Sequence, residues 1–118
     1  MAYSVGDSDT RPWGAWQVLA IGDGFVIKKI DVMPGARLSL QSHAHRSEHW
    51  TILHGSAEVT VGARTVRLGR DETVFIPAQT KHRIHNVGKT GLSFIEIQTG
   101  SILDESDIER FDDEYGRT

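Results

Sequence analysis

Short runs of alternating or consecutive apolar residues extend from Trp13 to Thr99 and are separated by glycine, proline and aspartate. Many short strands at such regular spacing are typical of an all-β sandwich or barrel rather than of βαβ units. The sequence therefore predicts an all-β domain. Its predicted strands span residues 16–20, 25–32, 37–45, 49–54, 57–61, 65–68, 73–76, 82–85 and 92–98.

Only the C-terminal tail has a helical pattern. Asp104 or Ser106 could cap a short C-terminal helix that runs through Ile108 and Phe111. These two apolar residues are three positions apart, so they would share one face of the helix. We expect that face to pack on the barrel.

Length and composition limit the kind of protein this can be. The 118 residues suffice for one domain, which we place at residues 11–118 after a polar, flexible N-terminus at residues 1–10. Without cysteine, a metal site must use His, Asp, Glu or amide ligands. The net charge is −3 with no basic stripe, so we expect neither nucleic acid nor a membrane as a partner. No signal peptide or apolar span is evident, and we expect a cytoplasmic protein.

All six histidines lie between residues 43 and 85, in two clusters. Alternate side chains of a strand share a face, so Gln41, His43 and His45 are expected to point the same way. With Glu48 close in sequence and His82 in the second cluster, this set is more typical of a metal site than of ordinary hydrogen-bonded imidazoles.

The other histidines leave alternatives open. His45 could bind a metal in place of the glutamine, and His49 in place of the glutamate if the register slips by one residue. His54 and His85 fit this geometry less well, and we expect them on the surface or behind the ligands.

The spacing of these residues resembles the two cupin motifs. The first, G-x5-H-x-H-x3–4-E-x6-G, is matched over residues 35–55, with Gln41 where its first histidine usually stands. The second, G-x5-P-x-G-x2-H-x3-N, is matched over residues 71–86, with Asp71 and Gln79 in place of its glycines. The resemblance implies a cupin fold, which is a double-stranded β-helix or jelly-roll barrel, holding one divalent metal ion. The implied ligands are Gln41, His43, Glu48 and His82.

Longer strings of residues carry a closer resemblance, which extends over residues 11–117. These strings are residues 11–14, 34–41, 45–50, 76–77, 81–83, 95–98, 107–111 and 115–117. They resemble the C-terminal cupin domain of the bifunctional mannose-1-phosphate guanylyltransferase/mannose-6-phosphate isomerases, the type II phosphomannose isomerases. The chain departs from that family at two positions. Ala44 stands where the family often has a further histidine, and Trp16 stands where it often has a tyrosine. It has no counterpart of the nucleotidyltransferase domain, so guanylyltransferase activity is not expected.

The resemblance implies a metal-dependent isomerase that interconverts mannose 6-phosphate and fructose 6-phosphate, for mannose metabolism or polysaccharide precursor synthesis. We expect Zn²⁺ first, because the predicted set of Gln, His, Glu and His ligands resembles the zinc ligands of the type I phosphomannose isomerases. Co²⁺, Mn²⁺, Fe²⁺ and Ni²⁺ also suit mixed nitrogen and oxygen ligands. A small phosphosugar is the expected substrate, and a homodimer is expected by analogy with other cupins.

Glu96 is our candidate for the base that moves a proton between C1 and C2 of the sugar. It lies inside the apolar run 93–97, where a carboxylate is either functional or costly to bury. The alternative is an edge position with the carboxylate in water.

Arginines are the expected phosphate anchors, because a guanidinium binds phosphate in a bidentate manner. Arg110 and Arg117 belong to the family-like tail and are expected at the catalytic site. Arg37 has the strand parity of the glutamine and histidine ligands, and with Arg11 and His45 it is expected to bind substrate. For each arginine alone, a solvated surface position is the alternative.

Two other functions remain open from the sequence. Cupins with histidine and carboxylate ligands also host oxygenase chemistry, and fold alone does not fix function. A non-catalytic sugar-binding module is the third interpretation. Anion anchors favour the isomerase over the oxygenase, since only a phosphosugar substrate requires them.

Overall fold

The computed structural model describes residues 3–104 and 106–112, and all regular structure in these ranges is β-strand. None of the described residues belongs to a helix long and apolar enough to cross a membrane. The predicted all-β domain is confirmed. The strands are β1 (Ser8–Arg11), β2 (Gly14–Gly22), β3 (Phe25–Val32), β4 (Leu40–Ser42), β5 (Arg46–His54), β6 (Ala57–Val61), β7 (Arg64–Leu68), β8 (Thr73–Ile76), β9 (His82–Asn86), β10 (Leu92–Gly100) and β11 (Glu109–Asp112).

The strands form two antiparallel sheets that enclose one core. The larger sheet has the order β1-β2-β3-β10-β5-β8, and the smaller has the order β11-β4-β9-β6-β7. Inward and outward positions alternate along β3, where every second residue is buried, and likewise along β5, β6, β9 and most of β10. Both sheets contribute to the apolar core, which includes the fully buried Ile52, Val59, Ile84 and Phe94.

The inward face of the larger sheet changes from apolar to polar along β10. Phe94 is buried in the apolar core, whereas the next two inward residues, Glu96 and Gln98, are buried polar groups. In the strand register, Glu96 pairs with Lys28 of β3 on one side and with Trp50 of β5 on the other. One end of the barrel is therefore packed with hydrocarbon, and the other end is lined by polar side chains.

The two residues that replace the glycines of the second cupin motif adopt glycine-like backbone conformations. Asp71 has φ of 71° in the turn between β7 and β8, and Gln79 has φ of 63° between β8 and β9. Positive φ is the conformation that glycine adopts most readily. These turns therefore keep the motif geometry without its glycines.

The predicted C-terminal helix is wrong within the described residues. Residues 109–112 form β11, which pairs with β4 at the edge of the smaller sheet. Ile108 and Phe111 consequently do not share a helical face: Ile108 lines a cavity, and Phe111 is exposed with Lys81 over its ring. Pairing with an open sheet edge satisfies backbone groups over several residues, which outweighs a weak local helix signal.

The N-terminal segment is more structured than expected. Strand β1 begins at Ser8 and pairs with β2, although we expected residues 1–10 to be flexible. The ring of Tyr3 packs edge-on against Trp16 at a centroid distance of 5.6 Å. An alternating polar strand at a sheet edge buries little hydrocarbon, so its sequence resembles that of a flexible tail.

Candidate metal centre

Three predicted ligands meet at the polar end of the barrel. His43, Glu48 and His82 each offer a ligand atom, and these atoms all lie within 4.8 Å of one another. Glu48 Oε2 is 3.4 Å from His43 Nε2, and Glu48 Oε1 is 3.8 Å from His82 Nε2. All three side chains are buried, with at most 3% of each residue exposed. The grouping of these three residues is as the sequence predicted.

Backbone carbonyls orient both imidazoles. His43 Nδ1 lies 2.5 Å from the Asp107 carbonyl oxygen, and His82 Nδ1 lies 2.9 Å from that of Thr80. A carbonyl oxygen only accepts, so each Nδ1 carries the proton and each Nε2 presents its lone pair. A donated Nδ1–H with an unprotonated Nε2 is the usual arrangement of histidines that bind metals.

Burial keeps both imidazoles neutral. It lowers the pKa of His43 to about 4, and the positive charge of Arg46 adds to the effect. Burial also lowers the pKa of His82. Neutral imidazole is the form that binds a metal ion, so both side chains are competent ligands at neutral pH.

Gln41, the fourth predicted ligand, lies beside this group. Its backbone pairs with His82 across β4 and β9, and its Nε2 donates to the Ser39 hydroxyl at 3.1 Å. With Glu48, His82 and Glu96 it lines a small cavity of about 30 Å³. One water needs roughly 10–15 Å³, so this space can hold an ion. The residues present therefore fit a divalent metal with mixed nitrogen and oxygen ligands.

Arg46, which the sequence analysis missed, contacts the same ligand atoms. Its Nε donates to Glu48 Oε2 at 3.0 Å, and its NH2 nitrogen lies 3.2 Å from His43 Nε2. The guanidinium is 8% exposed and neutralises the buried carboxylate. Strand parity could have revealed it, because residues 46, 48 and 50 all face inward on β5.

Glu96 lies next to these groups on the inward face of β10. Trp50 Nε1 donates to Glu48 Oε1 at 3.0 Å and to Glu96 Oε2 at 3.2 Å, and Gln98 Nε2 donates to Glu96 Oε1 at 2.6 Å. Burial, and then the nearby Glu48 carboxylate, raise the pKa of Glu96 to about 7. The edge alternative fails, because β10 lies inside the larger sheet and the residue is 7% exposed.

A cavity beside the ligands has several cationic side chains on its wall. It is lined by two of the predicted anchors, Arg11 and Arg110, and by Lys28 and Arg46. Three other lining residues offer oxygen atoms that can accept hydrogen bonds. The apolar part of the lining consists of tryptophan, isoleucine and leucine side chains. The acceptor residues are Gln41, Glu96 and Gln98.

Lys28 is a second cavity residue that the sequence analysis missed. Its Nζ lies 4.0 Å from the centroid of the Tyr3 ring and 4.8 Å from that of Trp16. Such cation–π contacts stabilise an ammonium group that is largely removed from water. The signal was its parity, since Lys28 alternates with Val26 and Ile30 on the inward face of β3.

Two predicted substrate residues lie away from this cavity. The chain leaves the strand after Ser42, so the alternation does not reach His45, which is exposed. Its backbone N–H instead donates to the Asp107 carboxylate at 2.8 Å. Arg37 forms an isolated backbone bridge with His85, and the cavity is lined by its neighbour Leu38. Strand parity misplaced both residues because residues 37–45 are not one continuous strand.

The remaining histidines are not at the centre. His49 is exposed, and its ring packs at a tilt against Phe75 with the ring centroids 4.7 Å apart, so the alternative in which it replaces the glutamate is wrong. His54 is exposed, and His85 Nε2 lies 3.2 Å from the Gly35 carbonyl oxygen, as expected for residues outside the site. Arg117 lies outside the described residues.

Solved structures share this fold. The Schizosaccharomyces pombe Cnp3 cupin domain has a TM-score of 0.71 at 24% identity, over 74% of this chain and 64% of that chain. Bacillus subtilis oxalate decarboxylase, studied for its Mn(II) centres, has a TM-score of 0.74 at 21% identity, over 86% of this chain and 29% of that chain. Likeness at such identities concerns the fold alone, and it confirms the cupin barrel.

Two bacterial proteins are much closer in sequence. The xanthan biosynthesis protein XanB of Xanthomonas campestris is 50% identical over 108 residues, which are 92% of this chain and 23% of XanB. The mannose-1-phosphate guanylyltransferase ManC of Salmonella typhimurium is 43% identical over 107 residues, 91% of this chain and 22% of ManC. The chain thus spans less than a quarter of the length of these relatives.

The sequence profile of one family covers nearly the whole domain. It is described as mannose-6-phosphate isomerase C-terminal, and it matches residues 3–113. The match includes the three clustered candidate ligands and every described residue that lines the cavity. The chain therefore belongs to the mannose-6-phosphate isomerase C-terminal family of cupin domains.

Proposed function

We propose that this domain is a metal-dependent isomerase that interconverts mannose 6-phosphate and fructose 6-phosphate. One observation carries the proposal: a buried two-histidine, one-carboxylate group and Glu96 lie beside a cavity that also presents Arg11, Arg110 and Lys28. This combination suits a phosphosugar substrate: Glu96 can accept a proton from the reacting carbons, and the cations can bind the phosphate. Polysaccharide precursor synthesis is the proposed context, in keeping with XanB.

His43, Glu48 and His82, with Gln41 beside them, would hold the divalent ion. Bound there, the ion would supply Lewis-acid polarisation of sugar oxygens. We propose Zn²⁺ first, on the resemblance to the zinc set of type I phosphomannose isomerases. The donor set equally accepts the other transition metals named above.

Glu96 is the proposed proton carrier. Isomerisation breaks the C2–H and O2–H bonds of the aldose and forms the C1–H and O1–H bonds of the ketose, through an enediolate. Glu96 would accept the proton at C2 and return it to C1, for which a pKa near neutrality is well suited. The hydrogen bonds from Trp50 and Gln98 hold its carboxylate in place.

Arg11 and Arg110 are the proposed phosphate anchors. Both line the cavity, and charge-assisted hydrogen bonds from arginine to phosphate are strong and directional. Arg117 remains a predicted anchor from the family-like tail. Arg37 and His45 lie outside the cavity lining, so we propose no substrate contact for them.

A coupled assay of mannose 6-phosphate conversion by metal-loaded protein tests this function, with oxygen uptake measured in parallel. Steady production of fructose 6-phosphate without oxygen uptake is the expected result. The Glu96→Gln variant should bind the substrate and lose most of the turnover. Substrate binding without turnover in the parent would favour a binding module, and oxygen uptake would favour an oxygenase.

A further inference from the structure

The side-chain amide of Gln98 donates a hydrogen bond through its nitrogen, but its oxygen accepts none from the residues that the structure describes. Its Nε2 donates to Glu96 Oε1 at 2.6 Å. Its Oε1 is buried and has no hydrogen-bond partner among the residues that the structure describes. The residue is 1% exposed and lines the same cavity as Arg11 and Arg110. A buried carbonyl oxygen in this state is a site for a donor from outside the chain.

The surroundings determine which donor would fit. The cations on the cavity wall only donate hydrogen bonds, so they recognise the phosphate of a sugar phosphate and not the hydrogen atoms of its hydroxyl groups. Both oxygens of Glu96 already accept hydrogen bonds, from Trp50 and Gln98. Gln41, the other amide on the wall, is a proposed metal ligand, so Gln98 Oε1 is the buried cavity acceptor that has no partner among the described residues and no role at the metal.

We propose that Gln98 is a substrate-binding residue whose Oε1 accepts a hydrogen bond from a sugar hydroxyl while its Nε2 holds Glu96. The inference rests on the proposed phosphosugar function and adds a specificity determinant to it. The cavity then distinguishes a hydroxyl-bearing phosphate ester from inorganic phosphate. Rejection of ligands that lack the hydroxyl follows, because they leave the buried oxygen unsatisfied.

Calorimetric titration of metal-loaded protein with mannose 6-phosphate and with inorganic phosphate tests the proposal. Gln98→Met removes both polar groups at similar size. It should weaken mannose 6-phosphate binding roughly tenfold and leave phosphate binding unchanged. Gln17→Met, at an exposed position of β2, is the matched control and should bind both ligands as the parent does.

Three results have distinct meanings. If the parent binds neither ligand, the proposed function fails. If the parent binds mannose 6-phosphate and Gln98→Met binds it equally well, Gln98 is not a substrate residue and the proposed function stands. An equal loss for both ligands would also overturn the hydroxyl contact, since it indicates a general change of the cavity. Should Gln98→Met not fold, Gln98→Asn, which retracts the amide by one carbon, is tested by the same comparison.

Discussion

Arg46 donates a hydrogen bond from Nε to Glu48 Oε2 at 3.0 Å, and both side chains are buried. The same guanidinium lies 3.2 Å from His43 Nε2. These are the atoms through which the two ligands would face a metal ion. A cation in the cluster and Arg46 in this position therefore compete for one carboxylate oxygen and one imidazole nitrogen.

Replacing Arg46 by methionine should tighten metal binding. The variant frees Glu48 and His43 and removes a positive charge next to the ion, and charge-assisted contacts of this kind are worth about 1.5–3 kcal/mol. We expect a dissociation constant for Zn²⁺ lower by roughly ten- to hundredfold, measured by competition with a chelator. The metal-free variant should be less stable by about 3 kcal/mol, because Glu48 loses its buried partner.

Arg67→Met is the matched control for this charge change. Arg67 pairs with Glu58 on the exposed face of β6 and β7, with an N–O distance of 3.7 Å. Exposed pairs contribute little to stability, so metal affinity and stability should stay close to those of the parent. Weaker metal binding by Arg46→Met would mean that Arg46 supports the ligands rather than competing for them.

Loss of both histidine ligands should abolish metal binding. His43→Ala combined with His82→Ala leaves Glu48 as the only member of the cluster, and a lone carboxylate does not retain a transition metal. Elemental analysis of protein purified without chelator should give one metal per parent chain and almost none for the variant. His54→Ala, at an exposed position, should keep the full metal content. An unchanged metal content in the double variant would place the site elsewhere.

Sequence patterns were sufficient for most of the fold and for the ligand cluster. Cupin motif spacing located His43, Glu48 and His82, since it reflects fixed strand lengths between ligands. The position of Glu96 inside an apolar run was equally informative, because β10 lies in the middle of the larger sheet and buries that carboxylate.

Parity failed where the chain is irregular. His45 follows a strand that ends at Ser42, and its position depends on hydrogen bonds from residues 44 and 45 to Asp107, a contact more than sixty residues distant in sequence. The strand at residues 109–112 forms only because β4 offers an open edge. Such long-range pairings have no local signal, so the helix was predicted instead.

Asp107 should matter for metal binding although it is not a ligand. Its carboxylate accepts hydrogen bonds from Ala44 N at 2.9 Å and His45 N at 2.8 Å, and its carbonyl oxygen accepts from His43. Asp107→Ala frees the loop that carries His43, and loss of such supporting contacts typically costs about ten- to hundredfold in metal affinity. Metal titration of the purified variant measures this change.

The control for this variant is Asp112→Ala. Asp112 lies on β11 and pairs with Arg83 at 3.0 Å in an exposed position, so its loss should leave metal affinity unchanged. If Asp107→Ala binds metal as tightly as the parent, the loop is held by other contacts and His43 does not depend on Asp107.

The stability of the metal-free protein should depend on pH through Glu96. The pKa of Glu96 is about 7 in the folded chain, against a usual value of 4.5. Between these values the folded chain retains a proton that the unfolded chain releases, so Glu96 makes stability fall as pH rises from 4.5 through 7. The slope for one such group is at most about 1.4 kcal/mol per pH unit. The Glu96→Gln variant carries no ionisable group at this position, so its stability does not fall with pH in this way.

Denaturant titrations of parent and Glu96→Gln with chelator, at pH 5 and pH 8, measure the effect directly. At pH 5 the two proteins should be similar, because Glu96 is then neutral like the amide. At pH 8 the variant should be the more stable by on the order of 2–3 kcal/mol. Folded His43, with its pKa lowered to about 4, is largely neutral at both pH values, so its own titration contributes little to the comparison. A stability difference that is the same at both pH values would mean that Glu96 ionises at its usual pH despite its burial.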